Sequence, residues 1–269
     1  MTTPLFYQRI VSLDRENHSK LRLRSLGNLA FSAETPLVPL LTTEFVQAAR
    51  DYPIAFVRGA DGALLPVALT GAPGGKNVFV DANGQWEARY LPAYVRRYPF
   101  VFAQTGPEQL TVCFDEACPA LNDVEGVPLF EDNGEPAPAL QQVLALMTDY
   151  QTHAQFTQTF MQRLEASGLL MEATAKADLA DGRSMQLTGL WVVDEARLKD
   201  LPEVTLKAWC TSGELGLVYA HLLSLANLLE ILRRQPAAPA SAFAPVAAEP
   251  DSSAAPASVK KRAKTVTAE

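Results

Sequence analysis

Three tyrosines and two arginines fall within nine residues of one another, at Tyr90, Tyr94, Arg96, Arg97 and Tyr98. An arginine guanidinium offers a rigid fork of donors to carboxylates and phosphates, and a tyrosine offers a flat ring with a hydroxyl group. These residue types predict a polar recognition pocket for a peptide or a small anion. The alternative is structural, with the arginines in cross-strand salt bridges and the tyrosines packed in the core.

Acidic partners for this segment follow it along the chain. If residues 98–104 and 109–115 form two strands around a turn at 105–108, Tyr98 lies opposite Asp115 and Arg97 lies opposite Glu116. The predicted ligand-binding set contains the polar residues that would surround such a pocket: Tyr94, Arg96, Arg97, Tyr98, Asp115, Glu116 and His221.

A second polar group of residues is spaced three apart near the C-terminal end, at His221, Ser224, Asn227 and Glu230. Neighbours at this spacing on a helix can contact each other, so the stripe contains the residue types of a nucleophile and its base. It has no strained turn of the kind that exposes a nucleophile. We therefore favour a polar seam on a buried helix that bonds to a sheet, and we predict no catalytic residue.

An enzyme of unrecognised type is the second hypothesis. In it, His221 or His18 would act with Asp115 or Glu116 as general acid and base, which requires contact with the substrate at about 2.6–3.2 Å. These residues are far apart in sequence, so the hypothesis depends on the fold bringing them together. The three histidines lack the spacing of a metal site, and we predict no metal and no cofactor.

The composition limits the classes of protein to consider. The chain has 269 residues, of which 48% are hydrophobic and 20% charged, with a formal net charge of −7. This acidic balance argues against a general nucleic-acid binder. The start of the chain lacks a signal-peptide pattern, so the cytoplasm is the expected location. The apolar stretch at 215–232 is interrupted by polar residues and is predicted to be a core helix, with no membrane span.

Short strands separated by turn residues are typical of the first half of the chain. Helices at 44–51 and 88–97 interrupt them, and Pro92 weakens the second helix. Links this short between strands favour antiparallel pairing. The predicted strands cover 21–24, 54–57, 64–68, 77–80, 100–103 and 110–114.

Helices dominate the second half. From Leu140 apolar residues recur at steps of three or four, which predicts a helix of about 28 residues that ends near Gly168. Strands at 169–175 and 185–193 form a hairpin around Asp181-Gly182. Short helices at 194–201 and 202–210 precede a last helix, whose predicted start is a capping box formed by Thr211 and Glu214.

These elements predict an α+β protein. Its N-terminal half is rich in antiparallel sheet, on which the long helix, the hairpin and the C-terminal helices pack. We predict one domain over 1–235 and a disordered tail over 236–269. In that tail 21 of the 34 residues are Ala, Pro or Ser, a composition that buries too little apolar surface to offset the entropy of ordering. Its basic cluster at 260–264 is predicted to be solvated, with contact to an anionic surface as the alternative.

Several short sequence motifs resemble those of the bacterial SapC family. The resemblance covers about residues 5–235, in the order of the family, and leaves the tail out. The motifs are Val38-Pro39-Leu40, Glu44-Phe45, Ala48-Ala49-Arg50-Asp51-Tyr52-Pro53-Ile54, Asn77-Val78-Phe79-Val80-Asp81 with Gly84 and Trp86, Tyr94-Val95-Arg96-Arg97-Tyr98-Pro99-Phe100, Asp115-Glu116, Leu187-Thr188-Gly189-Leu190-Trp191-Val192-Val193-Asp194, Gly213 and Tyr219-Ala220-His221-Leu222-Leu223-Ser224-Leu225.

The resemblance implies a class of function and no particular reaction. The family is named after a protein linked to a bacterial surface layer, and its members look like soluble proteins encoded near tryptophan-halogenase-like flavoenzymes, cupin-like oxygenases and outer-membrane receptors. We therefore expect a soluble accessory protein that recognises a peptide, a protein or a small polar ligand. Halogenase-like or cupin-like enzymes are its expected partners. A surface-layer component is the third hypothesis.

Overall fold

The structure is a computed structural model of the chain. It describes residues 4–106, 109–178, 184–234 and 241–242. The turn predicted at Asp181-Gly182 lies outside the described residues, and so does the predicted tail apart from 241–242.

The element order alternates short strands and helices around one long helix. The strands are β1 (Ile10–Ser12), β2 (Arg22–Leu23), β3 (Leu37–Pro39), β4 (Ile54–Arg58), β5 (Leu64–Leu69), β6 (Phe100–Gly106), β7 (Gln109–Asp115), β8 (Leu121–Asn122), β9 (Val127–Pro128), β10 (Leu170–Asp178), β11 (Ser184–Val193) and β12 (Ser241–Ala242). The α-helices are α1 (Phe45–Ala48), α2 (Ala93–Arg96), α3 (Pro138–Ala166), α4 (Glu195–Lys199), α5 (Glu203–Ser212), α6 (Glu214–Ser224) and α7 (Leu228–Arg234). Short 3-10 helices cover Ala30–Ser32, Thr42–Glu44 and Leu225–Asn227.

The largest sheet combines strands from both halves of the chain in the order β10-β11-β4-β5-β3. Strands along this path are antiparallel, and β12 pairs in parallel with β11. Trp191 of β11 pairs with Phe56 of β4, which joins the C-terminal hairpin to the strands of the first half. The predicted α+β class, with antiparallel sheet and packed helices, is confirmed.

Two three-stranded sheets have the orders β1-β7-β6 and β8-β2-β9. Of their strands, β1, β8 and β9 are not among the predicted ones, and neither is β3 of the large sheet. Each has only two or three residues, too few for an alternating pattern to be recognised. Their pairing with distant segments, such as Ile10 with Asp115, is what orders them.

The strand predicted at 77–80 is wrong. The Asn77 side-chain oxygen accepts a hydrogen bond from the Phe79 N–H at 3.0 Å, and Val80 forms an isolated bridge with Trp86. An asparagine side chain that bonds the backbone two residues ahead stabilises a turn, which competes with a strand.

The helix predicted at 88–97 is too long, because α2 begins only after Pro92. A residue that precedes a proline is disfavoured in the helical region, so the helix does not extend back through Leu91.

The register predicted for β6 and β7 is wrong by one residue. Gln104 pairs with Leu110 and Phe100 pairs with Phe114, and the register shifts between Gln104 and Gly106. The irregularity changes the offset along the strands, so a register inferred from loop length fails. Arg97 therefore does not face Glu116 across a strand pair.

The long helix α3 has 29 residues and is about 43 Å long at 1.5 Å per residue. Its bounds agree within about two residues with the prediction from apolar spacing. One side packs into the core through Leu140, Met147, Tyr150, Phe160 and Leu164.

The predicted capping box at the start of α6 is wrong. Gly213 is the residue before the helix, with a left-handed φ of 83°, and Thr211 donates its hydroxyl to Lys207 O inside α5 at 2.9 Å. Glu214 instead pairs with Arg163 at 2.6 Å and accepts a bond from Ser212 at 3.0 Å. The left-handed glycine separates two helices that follow each other directly.

Residues Glu214–Arg234 are long and apolar enough to cross a membrane by length and composition alone, with a mean hydropathy of 1.7. In the fold, one face of α6 contacts α1, β4 and β11. Tyr219 and Leu223 on the other face are exposed.

We expect Gly126→Ala to destabilise the protein more than Gly134→Ala. Both glycines have a positive φ, 105° and 81°, so both substitutions cost about 1 kcal/mol of backbone strain. A Cβ at position 126 would also lie 2.4 Å from Leu23 O, whereas a Cβ at position 134 would meet nothing within 4 Å. Urea unfolding should show an additional loss of about 2 kcal/mol for Gly126→Ala. Equal losses for the two variants would contradict the close pairing of β2 and β9.

Candidate functional site

An open groove of about 290 Å³ follows the second half of α3. One wall is α3 from Tyr150 to Glu165, a length of about 22 Å at 1.5 Å per residue. The other wall combines the first residues of β5 with the chain at 39–41 that follows β3. We call this cavity the glutamine groove.

A row of amide side chains gives the groove its polar wall. Gln151, Gln155, Gln158 and Gln162 are spaced by four, three and four residues, which keeps them on one face of the helix. Each amide both donates and accepts hydrogen bonds, as a peptide group does. The facing wall is mostly apolar and contains Leu40, Leu41, Leu64, Leu65, Phe102 and Leu110. The groove can therefore bond the polar groups of an extended chain and cover its apolar side chains.

Buried hydroxyls fix the floor of this groove. The Thr42 N–H donates to the Thr157 hydroxyl at 2.9 Å, and the Thr157 hydroxyl donates to His153 O at 2.8 Å. At the end farthest from Tyr150, Asp61 and Glu165 line the groove, and Glu165 forms an ion pair with Arg58 at 3.1 Å. Two carboxylates and one guanidinium therefore meet at that end, which leaves it with an excess of one negative charge.

A second cavity, of about 260 Å³, lies against the first half of α3 and is called here the arginine pocket. Arg24, Arg96, Arg97 and Tyr98 line it, and none of its lining residues, all of which the structure describes, is Asp or Glu. The remaining lining is mainly apolar and contains Leu23, Leu26, Pro99, Phe100, Val143, Leu146 and Met147, with Ser25 beside Arg24. Three of the predicted site residues thus come together in one cavity.

A stack of three side chains connects the two cavities. The Arg97 guanidinium carbon lies 4.1 Å from the ring centre of Tyr94 and 4.4 Å from that of Tyr150. Both rings line the glutamine groove, and Arg97, which is 2% exposed, lines the arginine pocket. Cation–π attraction of this kind is worth about 2 kcal/mol when the cation is desolvated. The stack is a wall common to both cavities.

The buried carboxylate of Glu44 positions the segment that leads into α2. It accepts bonds from the Tyr90 hydroxyl and the Ala93 N–H, each at 2.7 Å, and from the Leu41 N–H at 2.7 Å. Burial, followed by the negative charge of Glu44, raises the pKa of Tyr90. The Tyr90 phenol therefore stays protonated and serves as a donor to Glu44.

Asp115 fixes the other end of this segment. It is fully buried, and its oxygens accept bonds from the backbone N–H groups of Gln8 at 3.0 Å and Arg9 at 2.8 Å. The predicted contact with Tyr98 does form, with the phenol donating to Asp115 at 3.2 Å. Burial is the main cause of a raised Tyr98 pKa. Asp115 is thus committed to the N-terminal segment and lies behind the arginine pocket, outside its lining.

Two further predicted residues are at the surface. Glu116 pairs with Arg9 at 2.9 Å and contacts neither cavity lining. Arg96 lines the arginine pocket and is held by its Nε–H to Leu91 O at 3.1 Å and by Nη2 to the Tyr90 hydroxyl at 3.4 Å.

His221 lines neither cavity and has a structural role. The ring is fully buried, with Nδ1 bonded to Ile54 O at 2.9 Å and Nε2 accepting from the Val193 N–H at 3.0 Å. Ser224 adds a bond from the Ile54 N–H at 2.8 Å. His221 and Ser224 on α6 therefore form a polar seam bonded to β4 and β11, as the sequence favours. The other two members of the stripe lie beyond α6: Asn227 donates to Ala49 O at 2.8 Å, and the exposed Glu230 pairs with Arg234 at 2.9 Å.

Three ring nitrogens of the proposed acid–base set are committed to backbone hydrogen bonds. His221 uses both ring nitrogens for backbone bonds, and His18 Nδ1 accepts from the Asp14 N–H at 3.0 Å. His18 packs on the Phe114 ring, and successive side chains of a strand point to opposite faces, which directs Asp115 away from it. Among the residues that the structure describes, no group of three or more His, Cys, Asp or Glu is placed to hold a metal ion.

Sequence reasoning missed the glutamine groove. The glutamines are visible as the wet side of a long amphipathic helix, and their spacing places them in one row. That signal does not reveal the facing wall, because the wall comes from separate segments around 40, 64, 102 and 110, all well before this part of α3 in the chain.

Residues 13–231 match a protein-family model described as SapC. Comparisons with curated proteins and with solved structures find no match.

Replacing Arg97 should test the stack. We expect Arg97→Ala to lower the free energy of unfolding by about 3 kcal/mol, because it removes two ring contacts and leaves a cavity. Arg97→Met keeps most of the volume without the charge, and a buried cation can be exchanged for an apolar group at small cost. We therefore expect a loss of about 1 kcal/mol for Arg97→Met in denaturant titrations. A neutral Arg97→Ala would contradict the stack as a structural wall.

The protein should lose stability in mild acid through His221. Burial lowers the pKa of His221 from 6.5 to about 4. As the pH falls below 6.5, the unfolded chain takes up the proton first, so stability declines until about pH 4, by about 3 kcal/mol in total. In His221→Gln this contribution should vanish, and the difference in unfolding free energy between the two proteins should shrink across the interval. Parallel curves would show that His221 does not titrate in this way.

Proposed function

The chain belongs to the SapC family, and we propose that it is a soluble accessory protein that binds an extended segment of a partner protein or peptide in the glutamine groove. The observation that carries the proposal is the row of four glutamines that faces an apolar wall. Peptide groups that no strand partner satisfies need both donors and acceptors, and the amides supply both.

The dimensions of the groove support an extended occupant. Its helical wall is about 22 Å long, which corresponds to six or seven residues at about 3.3 Å per residue. The volume is near the lower end of the range for ligand pockets, about 300–1,000 Å³. The acidic end at Asp61 and Glu165 and the cationic stack near Tyr150 would favour one direction of the bound segment.

The family resemblance supports a choice of partner. We propose that the bound segment belongs to a halogenase-like or a cupin-like enzyme, and that this protein holds the segment without transforming it. Cytoplasmic location is part of the same proposal.

Binding to an array of peptides that tile such enzymes should depend on the amide row. We expect the double variant Gln155→Ala/Gln158→Ala to weaken binding about thirtyfold, because each of the two lost hydrogen bonds contributes about 1 kcal/mol. Gln142→Ala, an exposed position of α3 outside the groove, is the matched control and should bind as the parent does. Affinity can be measured by fluorescence anisotropy of the best peptide.

Two results would overturn the proposal. One is binding that the double variant leaves unchanged, which would place the interaction elsewhere. The other is turnover of a substrate by the purified protein alone, which would make it an enzyme.

A further inference from the structure

The geometry points to a separate ligand site: we infer that the arginine pocket binds a small oxyanion, a phosphate or a carboxylate group. This inference does not depend on the occupant of the glutamine groove. It concerns the cavity of about 260 Å³ that Arg24, Arg96 and Arg97 line.

The charges around this cavity are unbalanced locally. The protein carries a net charge of −7, yet three arginines line one cavity whose described lining contains no carboxylate. Like charges that share a cavity repel one another, and the repulsion is stronger beside apolar groups than in water. Val143, Leu146 and Met147 of α3 form such a surface here. A bound anion would remove this repulsion.

Two of the arginines are held in place by the backbone and keep N–H groups for a ligand. Arg24 donates Nε–H to Pro119 O at 3.2 Å, and Arg96 donates Nε–H to Leu91 O at 3.1 Å. A guanidinium has five N–H donors in a planar fork, so each of these side chains can still present donors to an oxyanion. Because these side chains are already anchored, less side-chain conformational entropy is lost when a ligand binds.

The third arginine is fixed in position by burial. Arg97 is 2% exposed and is held between the rings of Tyr94 and Tyr150. Its charge therefore stays at one place in the pocket. Ser25, next to Arg24, adds a hydroxyl group to the lining, which can donate to an oxyanion.

Titration of the full chain with inorganic phosphate and, separately, with succinate tests the inference. Isothermal titration calorimetry at low ionic strength should detect binding of at least one of them. We expect Arg24→Gln and Arg96→Gln each to weaken that binding about tenfold, the effect of losing one charge-assisted bond. Both side chains are exposed, so the variants should fold, as circular dichroism can verify. Arg50→Gln, an exposed arginine outside the pocket, is the control.

The two probes separate the sources of the anion. Binding of phosphate alone indicates a phosphorylated ligand, and binding of succinate alone indicates a carboxylate ligand. If neither probe binds, or if Arg50→Gln weakens binding as much as the pocket variants do, the site does not exist as inferred. The glutamine variants leave this pocket intact, so failure here and failure of the groove proposal are distinguishable.

Discussion

A buried guanidinium between two tyrosine rings couples the two cavities of this protein. Arg97 comes from the end of α2 and Tyr150 from the middle of α3, so the stack joins a one-turn helix to the longest element. Removing the cation would leave the two rings without the charge that they surround, and removing a ring would take a favourable contact away from a buried cation. The segment around α2 is also held at each end, by Glu44 before it and by Asp115 after it. These three contacts fix the walls of both cavities.

Several side chains that suggest catalysis are instead used to satisfy the backbone. Asp115 accepts from two N–H groups of the N-terminal segment, and His221 bonds β4 to β11. Many strands of this fold are short, so backbone groups at their ends find side-chain partners where a longer strand would supply backbone ones. From the sequence alone, a carboxylate or an imidazole that hydrogen-bonds the backbone cannot be distinguished from a catalytic one. Only the hydrogen-bond partners of each polar atom in the folded structure distinguish a structural side chain from a catalytic one.

The local elements could be predicted from the sequence, whereas the long-range ones could not. The period of apolar residues gives the bounds of α3 to within about two residues, and the hairpin of β10 and β11 follows from two strands around a turn signal. The short strand β3 becomes visible only through its pairing with β5. For the candidate site, sequence spacing identifies the arginines and tyrosines as a group. It does not show that Arg97 turns inward to a stack while Arg96 stays at the surface, because that choice is made by packing against α3.

Continuity of α3 gives the two cavities a mechanical relation. Residues 143–147 border one cavity and residues 150–165 border the other, and helical periodicity places both sets on the same side of a single rod. Tyr150, held in the stack, lies at the junction between the two sets. A rigid tilt of the rod about that point moves its two arms in opposite directions, so that the widening of one cavity accompanies the narrowing of its neighbour.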